Sequence, residues 1–140
     1  MNKKVLKLNC DMNVIYQYLS HYHNYDGLIC NVEPIELIDH YTDGNLEVIN
    51  YLFKQKFGNW FPIMEINVLQ KNDSINKVIK TESTDNYGYL KIIINYEIIK
   101  ITNEVELIIV WQSKGIFHQI SDHYIKKFIE RINDRVKNLN

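Results

Sequence analysis

Five histidines are the first residues to consider for chemistry, because imidazole binds zinc and exchanges protons near neutral pH. His21 and His23 lie two residues apart, which suits a pair of ligands on a strand, but a helix or loop is expected there. His118 and His123 lie five apart, so they do not share one helical face. A zinc site needs three or four converging ligands. We therefore expect solvated histidines, no metal and no other cofactor.

Two carboxylates, Asp39 and Glu65, each interrupt an otherwise apolar stretch. A carboxylate that points into a core has a raised pKa and can act as a general acid or base. The strand phase leaves both directions open, although an outward, solvated side chain is favoured. The chain has neither a serine in a nucleophile-elbow pattern nor a glycine-rich phosphate loop. We therefore assign no catalytic residue.

The charge and composition exclude several classes of function. The 140 residues carry a formal net charge of −1, which provides no field to recruit nucleic acid or an anionic membrane. Basic residues near the C-terminus are interleaved with acidic ones, as on a solvated helix face: Lys126, Lys127, Arg131, Arg135 and Lys137 with Asp122, Glu130 and Asp134. Hydrophobic residues make up 46 %, which is enough for one domain over residues 1–140 to bury a core.

The location follows from what the chain does not contain. No apolar run approaches the ~20 residues of a membrane helix, and the first residues do not form a signal peptide. Two cysteines are too few for a disulfide framework. We therefore expect a cytoplasmic protein in which Cys10 and Cys30 are reduced thiols, and a disulfide between them is the alternative.

The first third of the chain predicts one strand and two short helical pieces. Lys3–Cys10 alternates apolar and polar residues, which indicates a strand. Asp11 is a suitable N-cap for a helix over Met12–Ser20, because its carboxylate can accept from the first free backbone N–H groups. A second short helical or irregular stretch follows over His21–Gly27, where the glycine favours termination.

The remainder predicts six strands and one long helix. The Asp-Gly pair at 43–44 between two apolar runs is a strong hairpin signal. From Phe117 to Leu139 apolar residues recur every three or four positions, which indicates an amphipathic helix. The predicted strands are Ile35–Tyr41, Asn45–Phe53, Trp60–Gln70, Ile75–Ser83, Tyr89–Ile101 and Glu104–Gln112.

These elements predict an α+β architecture. Six strands joined by short turns form an antiparallel meander, and the first strand joins it most simply beside the last. Seven twisted strands curl, and only the C-terminal helix is long enough to cover their concave face. We expect a seven-stranded curved antiparallel sheet wrapped around this helix, with two short helices closing one end and a pocket left between them.

This order of elements resembles the helix-grip fold of the START and Bet v 1-like superfamily, which includes polyketide cyclases. The resemblance depends on the strand Lys3–Cys10, the helix capped by Asp11, the Asp43-Gly44 hairpin and the break at Gly115 before the last helix. It implies binding of an apolar small molecule or lipid in an internal cavity. An enzyme of the cyclase or dehydratase kind, using Asp39, Glu65 or a histidine, is the alternative. The glycine-rich loop of plant members is missing, which favours a microbial member.

The candidate ligand-binding residues follow from strand and helix phase. Glu104 and Glu106 should face water, which sends the alternate residues of the last strand inward. The candidates are Trp60, Ile94, Tyr96, Ile109, Trp111, Phe117, Ile120, Tyr124 and Phe128. The tyrosine and tryptophan rings among them offer apolar area with a directed polar atom. Simple core packing is the alternative for each of these residues. The Trp60-Phe61 pair could form a lip of the pocket, a partner surface such as a homodimer contact, or a packed hairpin end.

Overall fold

The computed structural model describes residues 2–29, 31–56, 58–59, 62–116 and 118–139. Strand β1 (Asn2–Leu8) precedes helix α1 (Met12–Ser20) and a 3-10 helix (Tyr22–Tyr25). The remaining elements are β2 (Glu36–Asp43), β3 (Leu46–Lys56), β4 (Ile63–Asp73), β5 (Val78–Asp85), β6 (Lys91–Ile101), β7 (Glu104–Lys114) and α2 (His118–Lys137). Element ends agree with those predicted to within about three residues.

The strands form one curved antiparallel sheet with the order β1-β7-β6-β5-β4-β3-β2. The predicted α+β helix-grip architecture is therefore confirmed, including the place of β1 beside β7, where Leu6 pairs with Leu107. The N-cap is confirmed as well, because Asp11 Oδ1 accepts from the Asn13 N–H at 2.7 Å. The second predicted short helix is only one turn of 3-10 helix, closed by the Asp26 N–H donating to the His23 carbonyl.

The turn between β4 and β5 was predicted too early. Sequence pattern placed it at residues 71–74, whereas β4 continues to Asp73 and the turn occupies residues 74–77. The carboxylate of Asp73 holds the turn in place by accepting from the Ile75 and Asn76 N–H groups at 3.1 and 3.0 Å. Asn72, which suggested a turn by composition, instead lies in the strand with its side chain buried.

The two α-helices cover different parts of the concave face. Helix α2 packs against β7 and β1, whereas α1 packs against β6 and β5. The buried stripe of α2 runs through Ile125, Ile129, Ile132 and Val136, so the predicted stripe is shifted by about one residue in its first half. The sheet over β3 to β6 is therefore left partly uncovered beside α2.

Strand β2 is an edge strand that is exposed along its whole length. Leu37, Ile38 and Tyr41 are each about half exposed there, and a bulge interrupts the register with β3 between Leu37 and Asp39. Edge bulges of this kind hinder pairing with a further strand. The predicted partner surface at Trp60 and Phe61 lies outside the described residues, and a homodimer remains a prediction.

Candidate functional site

A cavity of about 130 Å³ lies on the concave face between β3 to β6, the segment 25–29 and α2. Its apolar lining residues are Leu28, Ile29, Phe53, Ile66, Val68, Ile92, Ile94, Ile125 and Phe128. Its polar lining residues are Tyr25, Tyr51, Gln55, Thr81, Ser83, Tyr96, Ser121, Tyr124, Lys127 and Arg131. The cavity exists because α2 packs over β7 and β1 and α1 packs over β6 and β5, so the sheet between the two helices is covered only in part.

Four of the predicted ligand-binding residues line this cavity. Ile94 and Tyr96 point inward from β6, and Tyr124 and Phe128 face the cavity from the edge of the buried stripe on α2. The predicted inward face of β6 is thus observed, since the residues at 94, 96 and 98 are buried. These side chains form the part of the wall where the two elements meet.

Three other predicted residues, Ile109, Trp111 and Ile120, do not belong to the described cavity lining. Ile109 and Trp111 point inward from β7 as predicted, but they belong to the buried core and not to the cavity lining. The physical reason is that α2 packs directly over β7, so the space above that strand is filled. Ile120 is partly buried against the same core. Trp60 and Phe117 lie outside the described residues.

One end of the cavity is polar because it meets the C-terminal end of α1. The last carbonyl groups of a helix have no partner within the helix and must find donors elsewhere. The Tyr18 carbonyl accepts from Asn24 Nδ2 at 2.8 Å, and the Leu19 carbonyl accepts from the hydroxyl of Tyr25. Tyr25 is buried beside the cavity, so the cavity wall and the helix end share this side chain.

Gln70 connects the same helix end to the cavity. Its Nε2 group donates to the Ser20 carbonyl at 2.8 Å and to Asn72 Oδ1 at 2.9 Å. Its Oε1 atom accepts from the hydroxyl of Tyr51 at 3.0 Å. Gln70 is fully buried, so these bonds replace the water that its amide would otherwise hold.

The hydrogen-bond chain continues from Asn72 to the protein surface. Asn72 Nδ2 donates to Glu47 Oε1 at 2.8 Å, and Glu47 Oε2 lies 2.9 Å from His40 Nε2. Partial burial raises the pKa of Glu47, but the hydrogen bonds from Asn72 and His40 outweigh it and hold this pKa below its usual value. A carboxylate therefore ends the chain that begins at Tyr51, and it orients every donor in the chain toward itself.

The tyrosine hydroxyls at this end are neutral groups. Burial raises the pKa of Tyr25 and Tyr51 well above the usual value, and nearby tyrosine hydroxyls raise both further. Burial likewise raises the pKa of Tyr96. Each of the three hydroxyls therefore keeps its single proton at neutral pH.

The charged residues of the described lining are both cationic. Lys127 is exposed and Arg131 is half buried on α2, and Arg131 Nη1 donates to the Leu28 carbonyl at 2.8 Å. The lining contains no carboxylate and no imidazole among the residues that the structure describes. Asp39 is exposed on β2, and Glu65 points away from the cavity because its neighbours Met64 and Ile66 point inward.

The metal and thiol predictions can be compared with the described part of the chain. Within it, no group of three or more His, Cys, Asp or Glu side chains is placed to hold a metal ion. Cys10 is half buried after β1, and Cys30 lies outside the described residues, so the pairing of the two thiols stays a prediction. No described helix is both long and apolar enough to cross a membrane.

Solved structures share this fold. The di-domain ARO/CYC StfQ from the steffimycin biosynthetic pathway superposes with a TM-score of 0.71 at 8 % identity, over 98 % of this chain and 44 % of that chain. This chain therefore spans less than half of StfQ. The Zhui aromatase/cyclase from Streptomyces sp. R1128 gives a TM-score of 0.66 at 6 % identity, over 96 % of this chain and 92 % of that one.

A START superfamily protein from Mycobacterium smegmatis superposes on nearly the full length of both chains. The TM-score is 0.66 at 10 % identity, over 96 % of this chain and 95 % of that chain. This chain has the START-like helix-grip fold. The likeness shows the fold alone, since all three identities are very low. No protein-family model and no curated protein matches the sequence.

Several residues of this START-like cavity were not found from the sequence. Strand β5 carries polar residues on both faces, so alternation did not show that Thr81 and Ser83 point inward. The sequence pattern predicts Gln70 as the last residue of a strand. It does not predict which face of its strand Tyr51 lies on. The signal that could have found them is a polar residue in phase with apolar neighbours: Gln70 follows Met64, Ile66 and Val68 at steps of two.

Proposed function

We propose that this protein binds a small apolar molecule in the cavity between β3 to β6 and α2. The observation that carries the proposal is the apolar wall, which leaves an unfilled space in a core that is otherwise closely packed. Partly filled apolar cavities with a few polar groups are the usual form of ligand sites. The START-like fold supports the proposal, because its other members with aromatase and cyclase names have the same sheet and helix.

The volume limits the ligand. A cavity of about 130 Å³ is close to the size of an engineered apolar cavity that holds benzene, so one aromatic ring or a short branched alkyl group fits. Burying about 200 Å² of apolar ligand surface contributes about 5 kcal/mol. Part of this is offset by the entropy lost on association, so we expect dissociation constants between high micromolar and millimolar for a single ring. A larger ligand requires α2 or the segment 25–29 to move outward.

The residues that line the cavity favour ligand binding without catalysis. An acid or base that acts on a ligand must lie within hydrogen-bond reach of it. Asp39 and Glu65 point away from the cavity, so they do not support the cyclase or dehydratase alternative. The cations Lys127 and Arg131 on α2 disfavour a positively charged ligand.

Replacing Ser83 with phenylalanine is expected to abolish binding while leaving the fold intact. Ser83 is 9 % exposed and lines the cavity from β5, between Val68 on β4 and Ile92 on β6. A phenyl ring at this position occupies the space that the ligand requires, and we expect affinity for para-ethylphenol to fall more than tenfold, or about 1.4 kcal/mol. Isothermal titration calorimetry measures the change.

Thr84→Phe is the matched control for this variant. Thr84 follows directly on β5 but is exposed on the convex face, so the same ring added there should leave affinity unchanged. Circular dichroism verifies that both variants keep the sheet. A folded Ser83→Phe protein that binds para-ethylphenol as tightly as the Thr84→Phe protein would rule out this cavity as the binding site.

A further inference from the structure

We infer that the Tyr25 and Tyr51 hydroxyls at the polar end of the cavity accept hydrogen bonds from a ligand and do not donate them, so that the preferred ligand carries a hydroxyl group, as in a phenol or an alcohol. The inference rests on the proposed binding function and narrows the class of ligand. It depends on where the protons of Tyr25 and Tyr51 point.

The first proton is placed by the end of α1. The hydroxyl of Tyr25 hydrogen-bonds the Leu19 carbonyl, and a carbonyl oxygen can only accept. The single proton of Tyr25 is therefore directed at the helix and away from the cavity. Leu19 is fully buried and Tyr25 is 3 % exposed, so this bond lies within the core.

The second proton is placed by the amide of Gln70. An amide side chain has a donor end and an acceptor end, and its neighbours decide which way it faces. The Ser20 carbonyl, 2.8 Å away, can only accept, so the NH₂ group of Gln70 faces it and Oε1 faces Tyr51. Tyr51 must therefore donate, which leaves only lone pairs on its oxygen for a ligand.

The orientation of Gln70 is held by further bonds. Asn72 Nδ2 faces the Ser20 carbonyl at 3.3 Å and Glu47 Oε1 at 2.8 Å, and both partners are acceptors. Asn72 Oδ1 is thereby turned to accept from Gln70 at 2.9 Å. If Tyr51 accepted this hydrogen bond, the side-chain amides of Gln70 and Asn72 would both have to turn round. Their oxygens would then face the acceptor atoms of Ser20 and Glu47, which is strongly disfavoured.

The proton of Tyr96 is not committed in the same way. Tyr96 lines the cavity as a neutral hydroxyl that can both donate and accept. The two hydroxyls whose protons are held by the protein are therefore those of Tyr25 and Tyr51.

Two other lining hydroxyls also donate to the protein. Thr81 Oγ1 donates to the Ile94 carbonyl at 3.5 Å, and Ser121 Oγ donates to the His118 carbonyl at 2.9 Å. Cationic donors lie on α2, at Lys127 and Arg131. The cavity is thus asymmetric: a ligand hydroxyl meets the lone pairs of Tyr25 and Tyr51 near α1, whereas an ether, ester or carboxylate oxygen beside these two atoms would face other lone pairs with no proton between them.

Two isomers of equal size test the inference, because para-ethylphenol has a hydroxyl proton and para-methylanisole has none. Calorimetry on the intact protein gives the ratio of the two affinities. Each free ligand is hydrated in the same way whichever protein is titrated, so comparing this ratio between the wild-type protein and the variants cancels the difference in hydration. We expect the wild-type protein to prefer the phenol, and the preference to fall about fivefold when an accepting oxygen is removed by Tyr51→Phe, Tyr25→Phe or both. Phe53→Leu is the control, since it removes lining area without an oxygen and should weaken both isomers alike.

The outcomes separate the inference from the proposed function. If the isomers bind but the anisole binds as tightly as the phenol, or if the ratio is unchanged in both single variants and in the double variant, the inference is wrong and the binding function stands. If neither isomer nor para-ethyltoluene binds, the proposed function fails and the inference fails with it. Tyr25→Phe leaves the bond from Tyr51 to Gln70 in place, and Tyr51→Phe leaves the bond from Tyr25 to Leu19 in place, so the ratio can be measured in whichever variant folds. The wild-type ratio tests the inference without any substitution.

Discussion

The Gly115→Ala variant is expected to lose about 4 kcal/mol of folding free energy or to fail to fold. Gly115 has φ +112°, a conformation that residues with a side chain rarely adopt. A Cβ atom there would lie 2.0 Å from the Tyr89 carbonyl oxygen and 2.9 Å from the Leu90 Cα. These are backbone atoms, which cannot rotate away as a side chain can, so the chain before α2 or before β6 must shift.

Gly88→Ala is the matched control for this prediction. Gly88 also has a positive φ, +75°, but a Cβ atom there meets nothing within 4 Å. It should therefore show only the conformational penalty of about 1 kcal/mol. Urea denaturation followed by circular dichroism measures both variants, and equal losses would contradict the close approach at Gly115. Because Gly115 directly precedes α2, its position also decides where that helix crosses the sheet and how much of the cavity stays open.

The Asp85→Ala variant is expected to lose about 3 kcal/mol of folding free energy. Asp85 is 8 % exposed at the end of β5, and its carboxylate accepts from three backbone N–H groups. Oδ1 accepts from Tyr89 and Leu90 at 2.8 and 3.0 Å, and Oδ2 accepts from Tyr87 at 3.1 Å. Alanine leaves these donors unpaired in the turn that leads into β6, where buried N–H groups are costly.

Asp73→Ala provides the comparison for Asp85, because it removes a carboxylate of similar role from an exposed turn. Asp73 accepts from the Ile75 and Asn76 N–H groups, which water can serve once the carboxylate is gone. We expect a clearly smaller loss for this variant than for Asp85→Ala. Urea midpoints that are no lower for Asp85→Ala than for Asp73→Ala would contradict the assigned role of Asp85.

Most of the fold could be predicted because its signals are local. The alternation in β6 and β7, the Asp-Gly pair before β3 and the stripe on α2 each depend on residues that are neighbours in sequence. The β4–β5 turn was misplaced because Lys71 and Asn72 have a composition typical of turns. The burial of Asn72 is offset by partners 25 and 52 residues away in sequence, Glu47 and Ser20, which no local pattern shows.

The candidate site was predicted only in part, for a related reason. The alternation of the strands correctly predicts that Tyr96 and Trp111 point inward. Only Tyr96 lines the cavity, because α2 covers β7 and leaves β6 partly open. The lateral position of a helix over a sheet depends on packing across the whole core. The polar end of the cavity joins Tyr25, Tyr51 and Gln70 from three separate elements, so its existence follows from the tertiary structure and not from any motif.

The binding of a ligand inside the cavity is tested most directly by isotope-filtered nuclear Overhauser spectroscopy. The labelled protein would be mixed with unlabelled para-ethylphenol at saturating concentration. We expect contacts from the ligand to the methyl groups of Val68 on β4 and of Ile92 and Ile94 on β6, which line the cavity wall on both sides of β5. Contacts confined to exposed side chains such as Leu37 and Ile38 on β2, or no intermolecular contacts at all, would contradict a ligand site between the sheet and α2.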